Sequence, residues 1–251
     1  MRTVKINELE IGAGKPKIAV PLIEATTEAL INTAKQVCQE PIDMIEWRLD
    51  FFTNIHSIEA ILKTARQLRR ILDNRPLLVT LRTKDEGGNY QPQIAEYTNI
   101  YQELIKSHLV DLIDIEVLQP TTVILPLVQL AHEEQVKIIM SNHDFCKTPP
   151  ATVLQTRIEQ MTNFGADIAK FAVMPQSRED LLTILNVSIQ HANLADGIPL
   201  VAIGMGHQGK IIRISGEFFG SCISFGAVGK SSAPGQIAVA KLNEILDILH
   251  E

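Results

Sequence analysis

Eight short runs rich in Val, Ile and Leu, separated by longer stretches with apolar residues three and four apart, constrain this chain more than any other feature. The runs are Lys17–Ile23, Met44–Phe51, Leu77–Arg82, Leu112–Val117, Lys137–His143, Ile168–Val173, Leu200–Met205 and Ser221–Ala227. Strands that are apolar almost throughout are buried on both faces, as in parallel sheets, and parallel strands need a helical crossover between them. Ser57–Leu72, Ile94–Ser107, Thr121–Glu134, Ala151–Asn163, Ser177–Ala195 and Gly235–Leu249 carry the spacing of such outer helices. Eight strands alternating with helices predict an α/β fold closed as a (β/α)8 TIM barrel, an architecture that takes roughly 250 residues. The chain has 251, and no Ser/Gly linker or low-complexity tract divides it, so 1–251 is read as one barrel domain. Thr3–Ile11, followed by Gly12 and Gly14, has the look of a short β-hairpin that closes the barrel floor.

Composition narrows the function classes. With 23 Lys+Arg against 29 Asp+Glu the formal net charge is −6, which disfavours a phosphate-backbone binder of nucleic acid. Cys38, Cys146 and Cys222 are odd in number and far apart, against a disulfide framework or a closed zinc site and in keeping with a reducing compartment. The first twenty residues hold no apolar run of the length a signal peptide or membrane span requires, and the expected location is the cytoplasm.

The chemistry is written on the strands. In MIEWRLDFF the residues Glu46, Arg48 and Asp50 alternate with Trp47, Leu49 and Phe51, so one strand face carries three ionisable groups. A solvated strand face explains that pattern taken alone. The oddity recurs, however: Arg82 follows LLVTL, Asp114 and Glu116 alternate in LIDIEV, His143 ends VKIIMSNH, and Lys170 interrupts IAKFAVM. A parallel barrel gathers the C-terminal ends of its strands on one rim, where barrel enzymes place reactive groups. The set then describes a site for a polar, anionic small molecule.

Lys170, flanked by Ile168, Ala169, Phe171, Ala172 and Val173, is expected to have its charged form disfavoured by desolvation. A neutral amine attacks a ketone to give an imine, an electron sink for proton removal at the neighbouring carbon. A structural lysine whose stem packs while its head reaches water fits the segment equally. His143, one strand earlier, titrates near neutrality and can carry protons between substrate and amine. Cys146 beside it also admits a Cys–His nucleophile, which nothing else in the sequence supports.

Two glycine motifs compete with this reading. Gly204, Gly206 and Gly209 in GMGHQG match a dinucleotide fingerprint, but KIIRISGEFFG lacks the uninterrupted helix that must follow, and Ile211 stands where a P-loop needs a hydroxyl. A tight βα loop is the better reading, with Arg213 beyond it free to hold a carboxylate through two hydrogen bonds. The segment Gly229–Gln236, GKSSAPGQ, reads as a flexible flap, and also as a helix start with Ser231 or Ser232 as cap and Pro234 in the first turn.

Taken in order, EWRLD at 46–50, LRTKDEGG at 81–88, the His143-Asp144 pair, KFAVMP at 170–175 and SGEFFGSCISFGAV…SSAPGQI at 215–237 make the chain resemble the type I 3-dehydroquinate dehydratases over nearly its whole length. The resemblance implies dehydration of 3-dehydroquinate to 3-dehydroshikimate by syn elimination through a lysine Schiff base. This is a step of the shikimate pathway of aromatic amino acid biosynthesis that uses neither metal nor organic cofactor. It implies that Lys170 forms the imine with the C3 ketone, and that His143 removes the C2 proton, assists imine formation and breakdown and helps expel the C1 hydroxyl. It implies further that Glu86 orients the imidazole, that Glu46, Arg48 and Arg82 hold the ring hydroxyls, that Arg213 holds the carboxylate, and that Ser232 and Gln236 cover the site. It also implies a homodimer. Ile203 stands where relatives often carry methionine, an apolar exchange of similar volume and small cost. Three other readings compete: a class I aldolase or transaldolase-like barrel that cleaves a carbon–carbon bond, a binding protein for a hydroxylated acid, and a nicotinamide-dependent oxidoreductase.

Overall fold

Burial on both faces is what the strand sequences demand, and the computed structural model, which describes residues 2–251, supplies it. Strands β3 (Lys17–Leu22), β4 (Met44–Arg48), β5 (Leu77–Thr80), β6 (Leu112–Glu116), β7 (Lys137–Asp144), β8 (Ile168–Val173), β9 (Leu200–Gly204) and β10 (Ile223–Ala227) run parallel, each hydrogen-bonded to the next, with β10 returning to β3. The ring closes between β9 and β10. Leu200 and Ser221 form an isolated bridge there: Cys222 N–H donates to the Leu200 carbonyl at 2.8 Å, and Ala202 N–H donates to Ser221 Oγ at 3.0 Å. These replace the ladder that the short β9 and β10 do not extend far enough to form.

The outer layer is α1 (Thr27–Val37), α2 (Ile58–Leu72), α3 (Ile94–Lys106), α4 (Thr121–Glu133), α5 (Ala151–Asn163), α6 (Arg178–Ala192), the short α7 (Lys210–Ile214) and α8 (Gly216–Phe219), and α9 (Val239–His250). None of these is long and apolar enough to cross a membrane. The hairpin β1 (Val4–Ile6) and β2 (Leu9–Ile11) forms as expected, and Val4, Ile6 and Ile11 pack with Ala19, Met44, Leu78, Leu112, Ile139 and Ile168 inside the floor of the barrel.

Three boundaries differ from the sequence reading, each for a local reason. The strand expected over Met44–Phe51 stops at Arg48, and Leu49–Phe51 turn as a 3-10 helix. The turn lets Asp50 receive both Arg48 Nε and Nη2 at 2.8 Å and the Asn89 N–H at 3.0 Å. The last helix starts at Val239 rather than Gly235, because Gly235 takes φ 82° and Ile237–Ala238 form β11 beside β10. No serine caps it; Ala238 occupies that position, so the helix-start reading of Ser231 or Ser232 with Pro234 is wrong. Helix α1 was not anticipated, since only Leu30, Ala34 and Val37 of its residues are buried and the apolar stripe is thin.

Inside the ring the strands alternate. Below lie the apolar floor residues; above them Glu46, Thr80, Asp114, Ser141 and Lys170 point inward, and higher still Arg48, Arg82, Glu116 and His143. Their strand neighbours Trp47, Val79, Ile113, Ile115, Met140 and Phe171 face the helices. The glycines of GMGHQG serve packing: a Cβ on Gly209 would lie 2.2 Å from the Gly204 carbonyl carbon and oxygen, and the helix that follows has only five residues. Gly209→Ala is therefore expected to destabilise the protein by about 1–3 kcal/mol through overpacking against main chain. Chemical denaturation measures it, and an unchanged midpoint would mean that the turn relaxes without cost.

Candidate active site

Charged side chains survive inside a barrel only if they pair, because each unpaired ion loses its hydration. The pairing here starts at Arg82, 3% exposed. Its Nη2 donates to Asp114 Oδ1 at 2.7 Å, and its Nη1 donates to Glu116 Oε1 at 2.9 Å and Ser141 Oγ at 3.0 Å, with Glu86 Oε2 at 3.5 Å. Glu116 also accepts the Thr83 N–H at 2.9 Å and hydroxyl at 2.7 Å. Burial would raise the Asp114 carboxyl, but Arg82 and Lys170 outweigh it and hold the group well below the usual carboxylate range.

Lys170 Nζ donates to Asp114 Oδ2 at 3.0 Å, stands 3.8 Å from Glu46 Oε1 and lies 4.7 Å from the Phe225 ring centre. The purely apolar surroundings expected from its sequence neighbours do not occur: Ala169, Phe171 and Val173 point to the helix layer, and the amine meets two carboxylates instead. Glu46 is fixed by the Thr80 hydroxyl at 2.7 Å.

Strand register brings His143 beside Lys170: Ser141 lies opposite Lys170, and His143, two residues on along β7, opposite Ala172. Its Nδ1 meets Glu86 Oε2 at 2.9 Å, the same oxygen accepts the His143 backbone N–H at 2.9 Å, and Asn142 Nδ2 donates to Glu86 Oε1 at 2.9 Å. Burial raises the Glu86 carboxyl above the usual carboxylate range, against the opposing pull of Arg82 and the Asn142 amide. Three N–H groups converging on its two oxygens are the partners of a carboxylate, and with Nδ1–H turned to Glu86 the Nε2 lone pair is left for the cavity. Burial first, then the nearby Arg82 and Lys170 charges, hold the imidazole well below its ordinary value, so it is neutral and able to accept a proton.

Above these groups lies a cavity lined by Glu46, Arg48, Arg82, His143, Lys170 and Arg213, with Phe145, Ala172, Ile203, Met205 and Phe225 as its apolar wall and Ser232, Ala233 and Gln236 at its mouth. Of the site residues taken from the sequence, Glu86 stands behind His143, and Asp50, Asp114 and Glu116 stand behind the arginines and Lys170; the others border the cavity. Cys146 is exposed and does not line it. Arg213 differs from the other two arginines. It is 3% exposed, forms no ion pair among the described residues, and donates only to the Phe225 and Pro234 carbonyls, both at 3.3 Å, with Nε unpartnered. Burial pushes it down to about 10. A buried guanidinium without a carboxylate has charge-assisted donors left over at the cavity.

The flap docks on the β9 loop. Gly206 N–H donates to the Pro234 carbonyl at 3.1 Å, and a Cβ on Gly235 would lie 2.2 Å from the Gly206 oxygen. Gln236 Oε1 accepts the Ser232 N–H at 2.9 Å while its Nε2 donates to Ser232 Oγ at 3.1 Å. Sequence pattern missed the roles of Asp114, Ser141 and Asn142. The alternation in LIDIEV marked Asp114 as unusual, but nothing in a linear sequence pairs it with Lys170, and Ser141 and Asn142 are unremarkable at strand positions.

The type I 3-dehydroquinase family model matches residues 18–251. The chain is 40% identical over 251 residues to the 3-dehydroquinate dehydratase of Salmonella typhimurium, covering 100% of both chains, and 39% identical over 250 residues to that of Clostridium botulinum, covering 100% of this chain and 98% of the other. A crystal structure of the type I 3-dehydroquinate dehydratase of Clostridium difficile superposes with a TM-score of 0.96 at 39% identity, covering 99% of this chain and 98% of that one. With agreement in sequence and backbone along the full length, the chain belongs to the type I 3-dehydroquinase family.

Proposed function

We propose that the protein dehydrates 3-dehydroquinate to 3-dehydroshikimate, in the shikimate pathway, through an imine on Lys170. The observation that carries this reading is the placement of a lysine amine, a neutral imidazole and an unpaired guanidinium around one cavity. Elimination beside a ketone needs an electron sink, a base and a grip on the anionic end, and these three groups match the three needs.

The chemistry follows from their positions. The Lys170 amine adds to the C3 ketone and water leaves, giving an iminium. His143 Nε2 takes the C2 proton, and the C2–H electron pair moves into the iminium to form an enamine. The electrons return as the C1 hydroxyl departs, protonated by the imidazolium, so it leaves as water. One base that both takes the proton and delivers it works from one face of the ring, which is syn elimination. Hydrolysis of the conjugated imine releases product and regenerates the amine. Glu86 keeps the imidazole in the required tautomer, Glu46, Arg48 and Arg82 border the ring hydroxyls, and Arg213 forks onto the carboxylate. Ser232 and Gln236, bonded to each other at the mouth, are placed to turn to substrate, and closure over it excludes water. Within this reading 1–251 is one catalytic barrel. Action in the cytoplasm is supported by the three scattered cysteines and the N-terminal composition, and assembly as a homodimer by family resemblance, which sedimentation of the purified protein reads.

Borohydride added with 3-dehydroquinate is expected to inactivate the enzyme and leave a reduced adduct on Lys170, located by peptide mass spectrometry; an adduct on another lysine would sink the assignment. His143→Ala should lose about 10²–10⁴-fold in turnover while still accumulating trappable imine, because proton transfer is separable from amine attack. Wild-type turnover in that variant would contradict the mechanism. Arg213→Lys retains the charge and loses the fork, and kcat/KM should fall by the equivalent of about 1.5–3 kcal/mol. If steady-state kinetics leave kcat/KM unchanged, another cation holds the carboxylate.

A further inference from the structure

The catalytic carboxylate has an anchor on the outside of the barrel wall. Strand β7 alternates, so Ser141 and His143 point inward while Asn142 points to the helix layer, 1% exposed beside Met140 and Ile138. A primary amide there is costly unless both ends are bonded. Asn142 Nδ2 donates to Glu86 Oε1 at 2.9 Å, and its Oδ1 accepts from Nη1 of Arg157, a half-buried residue of α5.

The two partners fix the amide's direction. Arginine only donates and a carboxylate only accepts, so Oδ1 must face Arg157 and the NH2 must face Glu86. Without Arg157 the amide is free to turn its oxygen to the carboxylate, replacing attraction with repulsion. Glu86 needs such a tether because it sits on a single 3-10 turn, Lys84–Glu86, a weakly held element ended by Gly87 at φ 81°. With Oε1 tied to Asn142, Oε2 is held in place to receive the His143 backbone N–H and Nδ1 together.

We propose that Arg157 and Asn142 are positioning residues for the proton-transfer step, holding Glu86, and through it the His143 imidazole, from the helix side of the barrel. The inference rests on the roles given above to Glu86 and His143. It separates proton transfer from amine attack, because Lys170 is held by Asp114 and Glu46 and hydrogen-bonds to none of Arg157, Asn142, Glu86 and His143.

Steady-state kinetics of the full chain across pH, with borohydride trapping alongside, test it in Arg157→Met, Arg157→Lys and Glu86→Gln. The groups facing the pair are Arg82 and, beyond it, Glu116 and Asp114 on the Glu86 side, with Lys170, Asp114, Arg82 and Arg48 around the imidazole; none is altered by the Arg157 changes. Arg157→Met should lower kcat by about two- to tenfold, the worth of one hydrogen bond, with KM and trapped imine as in the wild type. Its acid limb should move to higher pH: a weakened amide bond stabilises the carboxylate less, so Glu86 is protonated at higher pH. Arg157→Lys, which keeps a donor, should restore most of the rate. Wild-type kcat and acid limb in Arg157→Met, beside an impaired Glu86→Gln, would overturn the inference and leave the mechanism standing. Parallel loss of trapped imine and thermal stability would overturn it too, as general loosening. Full turnover in Glu86→Gln would remove the role of Glu86 itself and the inference with it.

Discussion

Arg82 is the residue on which the interior depends. Its guanidinium, nearly without solvent, touches Asp114 and Glu116 and approaches Glu86, and among the described residues these three carboxylates have no other full cation except Lys170 on Asp114. Burial would lower its proton affinity, yet the carboxylates raise it well above the ordinary value. Removing one partner of a buried pair costs about 3–5 kcal/mol, and here one side chain serves three. The two arms of the site both lead back to it: Asp114 passes the alignment to Lys170, and Glu86 passes it to His143.

The same logic sorts the three arginines of the cavity by what they remain free to do. Arg82 is spent on carboxylates, Arg48 is held by both oxygens of Asp50, and Arg213 has only two carbonyls at 3.3 Å. Identical side chains thus become hub, rim or under-partnered donor according to the acids near them. The apolar floor and the hairpin beneath exclude water from below, which raises the worth of each of these contacts.

Much of this was legible in the sequence because burial on both strand faces and inward charge are linear patterns. A strand such as Met44–Arg48 announces itself by apolar residues on one side and ions on the other, and eight short, largely apolar strands alternating with helices leave little choice of architecture. What did not show was set by local detail or by contacts distant in sequence. The Arg48–Asp50 clamp ended a strand early, the approach of Gly235 to Gly206 delayed the last helix, and α1 hides behind a stripe of three buried residues. In the site, the ions were visible one at a time, but the partner of Lys170 lies 56 residues away and that of Asn142 on a helix outside the barrel. Desolvation alone was therefore the wrong picture of the lysine's surroundings.

The central claim is that this arrangement performs β-elimination of water rather than carbon–carbon cleavage. The direct measurement is the ultraviolet spectrum of the purified protein with 3-dehydroquinate, followed by product analysis. The account predicts a rise in absorbance from a conjugated enone carboxylate with the ring intact. No rise, or the appearance of fragments from a cleaved ring, would contradict it.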